Sequence, residues 1–408
     1  MRTIILAALF GGVIGCGGDT ASPEPATPEA APEKPAAKSD LPTFSLAWSE
    51  YPSWSTFGVA HEMGLLNGKK GELGKLEKKW KVDVELKEAD YDSCITMYGS
   101  GQVDAAALTN MDALPAALTK QTVGILPTST SMGADALLVT DAVKSIEDLK
   151  GKSVYGLSLT VSEFTFVRNL ELNGQNEAEY KFSNMDPAAA AIAMQQKQDG
   201  YDAIVVWNPF VMETLKKRSD VRVLFDSSSI PGEIIDMVVM SQDSLDKEGA
   251  DRFAHAIIDA FYMISDRMNN AETRSDTLVA LGEKFSHLGA EDMETVVKQT
   301  QFYDTPEKGL AVFTGDDVKV VMETVVAFEE GHDMLSSKPV LGYGTKDDAA
   351  DANFRFDPTY MTAIQEKRAA SAAAEAAKAD ADAAADEAAA KDADGKDEQA
   401  APAEKATE

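Results

Sequence analysis

Short apolar β-type runs alternate with helix-like segments twice over in the middle of this chain, and that alternation limits its fold more than any other feature. The first series reads as strand 43–48, then helix 55–66 ending near Asn67-Gly68, a helix-stop signal. Strand 82–86, helix 91–100, strand 104–109 and helix 112–120 follow, and then strands 122–126 and 136–140. The second series runs through strand 153–157, helix 162–172, strand 180–183, helix 187–198 and strand 203–207. Helix 210–218 and strands 221–225 and 235–241 complete it. Short apolar strands separated by helices pack as mainly parallel sheets under a cover of helices. Two series therefore predict two sheets, with a mostly helical stretch over 243–331. No internal repeat is seen at solenoid periods, so a likeness between the series would be structural alone.

The two ends read differently from this body. Arg2 precedes an apolar run from Ile4 to Ile14, which is too short to span a bilayer. It ends in Val13-Ile14-Gly15-Cys16, a pattern suited to a bacterial lipobox. Residues 1–15 are read as a lipoprotein signal peptide and Cys16 as the lipidated residue. Residues 16–41, rich in Pro, Ala, Glu and Lys, are read as a disordered linker. The body is thereby expected on the periplasmic side of a bacterial membrane, held by its lipid, with inner or outer membrane open. From residue 369 the chain is nearly all Ala, Glu, Asp and Lys. Alanine favours helix, but no apolar stripe exists to bury, so a low-complexity tail, disordered or transiently helical, is expected over 369–408. The net charge of −30 argues against nucleic acid, which needs clustered Lys and Arg. With Cys16 lipidated, Cys94 stands alone and is read as a small buried hydrophobe.

Local motifs give no support to an enzyme. The stretch from Gly68 to Lys75 has the look of a phosphate loop but fails its spacing, and Leu76 stands where Ser or Thr is needed. His61, His255, His287 and His332 are scattered without metal-ligand spacing, so no metal and no cofactor are called. Polar and aromatic clusters instead gather at strand-to-helix junctions, where open α/β sheets bind ligands. Five stand out: 48–54, Thr109-Asn110, 127–131, 158–162 and 207–210. Their hydroxyls, amides, helix N-termini and flat rings suit capture of a small polar organic molecule. The first-series candidates are Ser49, Glu50, Trp54, Thr109, Asn110, Ser129 and Thr130. From the second series come Ser158, Thr160, Ser162, Trp207 and Asn208, and Asp236 stands where the chain returns. Ser162 and Asp112 also suit helix N-caps.

Four segments in this order resemble the substrate-binding lipoproteins of ABC importers of the nitrate/sulfonate/taurine (SsuA/THI5-like) type. They are Ala60 to Leu66 (AHEMGLL), Gly101 to Ala106 (GQVDAA), Ser145 to Val154 (SIEDLKGKSV) and Asp202 to Phe210 (DAIVVWNPF). The resemblance spans about residues 43 to 340. It implies a type II periplasmic-binding-protein fold of two α/β lobes with a cleft and a hinge. One lobe would hold 43–138 and 236–345, the other 139–235, with crossovers near 136–140 and 234–239. It further implies a monomeric, non-enzymatic solute-binding protein that delivers its ligand to an ABC permease in the inner membrane. A ligand sensor or a pyrimidine synthase on the same fold are the alternatives. The cysteine cluster and histidine chemistry of the synthases are not visible. The family often carries an acidic residue where Asn208 stands, and its loss leaves a sulfonate-like and an amine- or pyrimidine-like ligand both open.

Overall fold

The computed structural model describes residues 41–285 and 288–397, with side chains as far as residue 384. The signal run, Cys16, the linker up to Asp40, His287 and the chain after Asp397 lie outside the described residues.

Two sheets form, as the two series predict. The strands in chain order are β1 (Thr43–Trp48), β2 (Asp83–Glu88), β3 (Ala105–Thr109), β4 (Thr122–Ser131), β5 (Asp135–Thr140), β6 (Ser153–Gly156) and β7 (Lys181–Asn184). They continue with β8 (Ala203–Trp207), β9 (Val221–Asp226), β10 (Ile235–Ser241), β11 (Thr300–Phe302), β12 (Leu341–Tyr343) and β13 (Phe354–Phe356). The first sheet runs β2-β1-β3-β10-β4-β13-β12, with β11 paired to β4. The second runs β7-β6-β8-β5-β9. Each sheet places a strand from the other half of the chain, β10 or β5, antiparallel between its third and fourth members. This shared order is the type II periplasmic-binding-protein topology. The exchanged strands explain why both sheets depend on both halves of the sequence.

The central strands β3, β8 and β10 are buried along their whole length, as expected of strands covered on both faces. Phe44 stacks on Phe253 at 5.2 Å, tying β1 to the helix Ala250–Asn269. A smaller core of Ala136, Leu138, Ala190, Met194, Ile204 and Val206 seals the outer face of the second sheet.

Three details differ from the sequence pattern. Pro127 to Ser131, read as a loop, continue β4; Pro127 sits where the pairing with β10 shifts register, and a bulge tolerates its missing N–H. Strand β5 lies wholly in the second sheet, so the crossover falls at 132–134, ahead of the 136–140 crossover expected. The first sheet also gains β12 and β13, which are only three residues each and give no periodicity to read.

The C-terminal helix Thr359–Asp397 buries Met361 and Ile364 against the body, whereas every side chain over 371–384 is exposed. Cys94 is fully buried and free.

Candidate ligand-binding cleft

The ends of the strands build a cleft between the two sheets. From the first sheet come the loop after β1, the loop before the helix Tyr91–Gly99, and the end of β3. From the second come the loop after β6, the helix Val161–Leu172, and the end of β8. An inner chamber of about 10 Å³, room for about one water, is lined by Tyr51, Trp54, Tyr91, Trp207, Asp135 and Asp236 among others. An outer chamber of about 300 Å³ carries Glu50, Glu88, Asp90, Asp92 and Asp186, with Tyr91 and Trp207 again in its wall. None of the described residues lining either chamber is Lys, Arg or His.

The rings form a continuous series. Trp54 lies 4.8 Å from Tyr51 and stacks on Tyr91 at 5.4 Å. Tyr91 meets the edge of Trp207 at 5.7 Å, and this contact joins the two sheets across the cleft. Trp54 Nε1 is buried without a protein hydrogen-bond partner.

Behind the rings sits a set of buried carboxyls. Ser129 donates to Asp236 at 2.5 Å, and Ser129 Oγ lies 2.8 Å from Ser53 Oγ, itself 2.9 Å from Thr128 Oγ1. Ser131 donates to Asp135 at 2.5 Å and shares a 2.6 Å contact with Ser227. Asp112 accepts from Tyr91 at 2.6 Å and from Thr109 at 2.8 Å. Removal from water disfavours the charged form of each. Burial pushes Asp112 up to about 6 and Asp135 up to about 7, the latter helped by the Asp112 charge. Burial, then the charge of Asp135, raises Asp236 well above the usual carboxylate range. Glu329, whose two carboxyl oxygens are buried without partners, is pushed by burial and by Asp112 to about 9. The second Asp112 oxygen, Oδ1, is buried without a protein hydrogen-bond partner.

The residues singled out from sequence divide into two groups. Ser49, Glu50, Trp54, Thr109, Trp207 and Asp236 line the cleft, and Ser129 holds Asp236. The others are engaged in the scaffold. Asn110 donates from Nδ2 to the Glu233 carbonyl at 3.1 Å and accepts from the Ile235 N–H at 3.0 Å, pinning the return crossover. Thr130 donates to the Ile234 carbonyl at 2.7 Å. Thr160 caps the helix Val161–Leu172 by accepting from the Ser162 N–H. The Ser158 N–H donates to Asn184 at 3.0 Å. Asn208 donates to Gln299 at 2.7 Å, a bond between the second-sheet segment and the helix Ala290–Gln299. The Ser162 hydroxyl is buried without a protein partner.

Tyr91, Asp112, Asp135 and Glu329 escape the sequence reading. An aspartate heading an otherwise apolar strand, as Asp135 does, is a signal that was available. Asp112 reads from sequence as a cap, and its partnership with Tyr91 depends on a contact 21 residues away.

Topology and cleft together define a two-lobed periplasmic-binding fold. The sequence matches no family model and no curated protein. Solved structures do match. The periplasmic aliphatic sulphonate-binding protein SsuA of Escherichia coli is 18% identical, over 73% of this chain and 94% of its own, with a TM-score of 0.57. A putative periplasmic sulfonate-binding SsuA of Methylobacillus flagellatus KT is 15% identical over 81% and 95%, with a TM-score of 0.58. The alkanesulfonate-binding SsuA of Xanthomonas axonopodis pv. citri, solved with MOPS, is 15% identical over 72% and 95%, with a TM-score of 0.57. At these identities the likeness is one of fold, and at that level the resemblance read from the sequence holds.

Proposed function

We propose that this chain is an extracytoplasmic solute-binding lipoprotein that captures a small polar organic molecule between its two lobes and hands it to an ABC importer. The observation that carries this reading is the aromatic contact of Tyr91 with Trp207 across a cleft lined by both sheets. A solute that touches both walls favours the closed arrangement through the contacts it makes only there. The paired crossovers at 132–134 and before Ile235 supply the places where such a motion can be absorbed. Cys16 would carry the lipid, residues 17–41 would lift the body off the bilayer, and an inner-membrane permease would read the closed form. The lipobox run supports the anchor, and the acidic surface keeps the body in solution.

Calorimetry with solutes of each candidate class, on the wild type and on Trp207→Ala, tests the reading. A solute that binds the wild type and loses at least tenfold in affinity in the variant is expected. Binding that ignores Trp207 would place the ligand elsewhere and end this account of the cleft.

A further inference from the structure

Three solved structures of similar fold are named for sulfonates, yet two features of this cleft oppose an anion. The outer chamber is walled by five carboxylates and, among its described residues, no cation. Asp90 stays ionised because the Ser93 N–H bonds its charged form. An anion entering there meets like charge at close range, a repulsion of several kT even at a protein surface. Finally, the rings Tyr51, Trp54, Tyr91 and Trp207 surround the inner chamber beside Asp135 and Asp236. Ring faces backed by carboxyl groups attract a positively charged nitrogen and gain nothing from an anion.

Taking solute capture in this cleft as given, we infer that the ligand is a small organic cation, an amine or quaternary ammonium. Its nitrogen rests on the Tyr91–Trp207 wall between the inner carboxyls and the acidic outer rim. Tyr91 and Trp207 line both chambers, so a cation on that wall lies beside the inner chamber that Asp135 and Asp236 line and faces the acidic outer chamber. The buried Trp54 Nε1 offers a donor to a neutral acceptor on the same molecule.

Equilibrium dialysis of the full chain, read by mass spectrometry, separates the cases. One chamber holds a mixture of small amines and quaternary ammonium compounds, choline and putrescine among them. Another holds alkanesulfonates, ethanesulfonate among them. The expected result is retention of at least one cation with a Kd below about 100 µM, weakened tenfold or more in Asp236→Asn and in Trp207→Phe, and no retention of a sulfonate. Asp236→Asn preserves shape, and a melting curve on each variant confirms that it is folded. Retention of a sulfonate that is lost in Trp207→Phe would overturn the cation inference while leaving solute capture in this cleft intact. Retention of neither class would overturn both.

Discussion

The two walls of the cleft are built from different chemistry. The wall of the first sheet is polar and fixed: Asp236, Ser129, Ser53 and Thr128 form a buried chain of hydroxyls ending on a carboxyl, and Tyr91 and Thr109 hold Asp112. The second-sheet wall offers Trp207, Phe210, Leu157 and the start of the helix Val161–Leu172, mostly apolar surface, with Asp186 its one carboxylate among the described lining residues. Asp135, first residue of the exchanged strand β5, sits at the seam. One wall sets which charge is accepted, and the other supplies an adaptable face that closes on it. Buried polar networks are rigid when satisfied, whereas flat aromatic contact tolerates sliding.

This division can be tested by breaking each wall in turn. The largest loss of cation affinity is expected from Asp236→Asn, because removing one partner of a desolvated charge pair costs roughly 3–5 kcal/mol. Calorimetry should show it as a hundredfold loss or more, with the variant folded. Trp207→Ala should cost less, about 1–3 kcal/mol, since it removes contact area and one ring face but leaves the carboxyls in place. Equal losses in the two variants would erase the contrast between the walls.

A smaller effect concerns pH and the protein without ligand. Asp112 and Asp135 have folded values of about 6 and about 7, above the ordinary aspartate value of 3.8. The folded state therefore binds more protons than the unfolded state between about pH 4 and 7, and stability falls as pH rises through that window. Glu329 and Asp236, also raised, act in the same direction, and Tyr51, Tyr91 and Tyr303 beside them stay protonated. Melting temperature should be several degrees higher at pH 5.5 than at pH 8, and the difference should shrink in Asp135→Asn. Bound cation should reverse the trend, because it favours the ionised carboxyls. The least effect is expected from deleting 369–408: side chains from 371 to 384 are exposed, so melting temperature and affinity should stay within about a degree and twofold. A drop of many degrees would show that the tail packs on the body.

Much of the fold was legible because strands β1, β3, β8 and β10 are short, mostly apolar runs. The exchange of β5 and β10 between sheets left no local pattern, since pairing partners lie about a hundred residues apart, and only the resemblance implied that the chain returns near 234–239. The candidate site was legible at Trp54, Glu50 and Trp207, where bulky rings and a charge gather at or just after a strand end. It was illegible at Asn110, Thr130 and Asn208. Each has the hydrogen-bonding group of a ligand contact, but their bonds go to the Glu233 carbonyl, the Ile234 carbonyl and Gln299. A polar side chain at a junction advertises a need for partners without saying whether protein or solute will meet it.

Native mass spectrometry of the full chain purified from its own cells addresses the central claim most directly. The account predicts a small cationic molecule bound one to one on the wild type and missing from both Asp236→Asn and Trp207→Ala. A wild type carrying no molecule, or an adduct that persists unchanged in both variants, would contradict capture in this cleft.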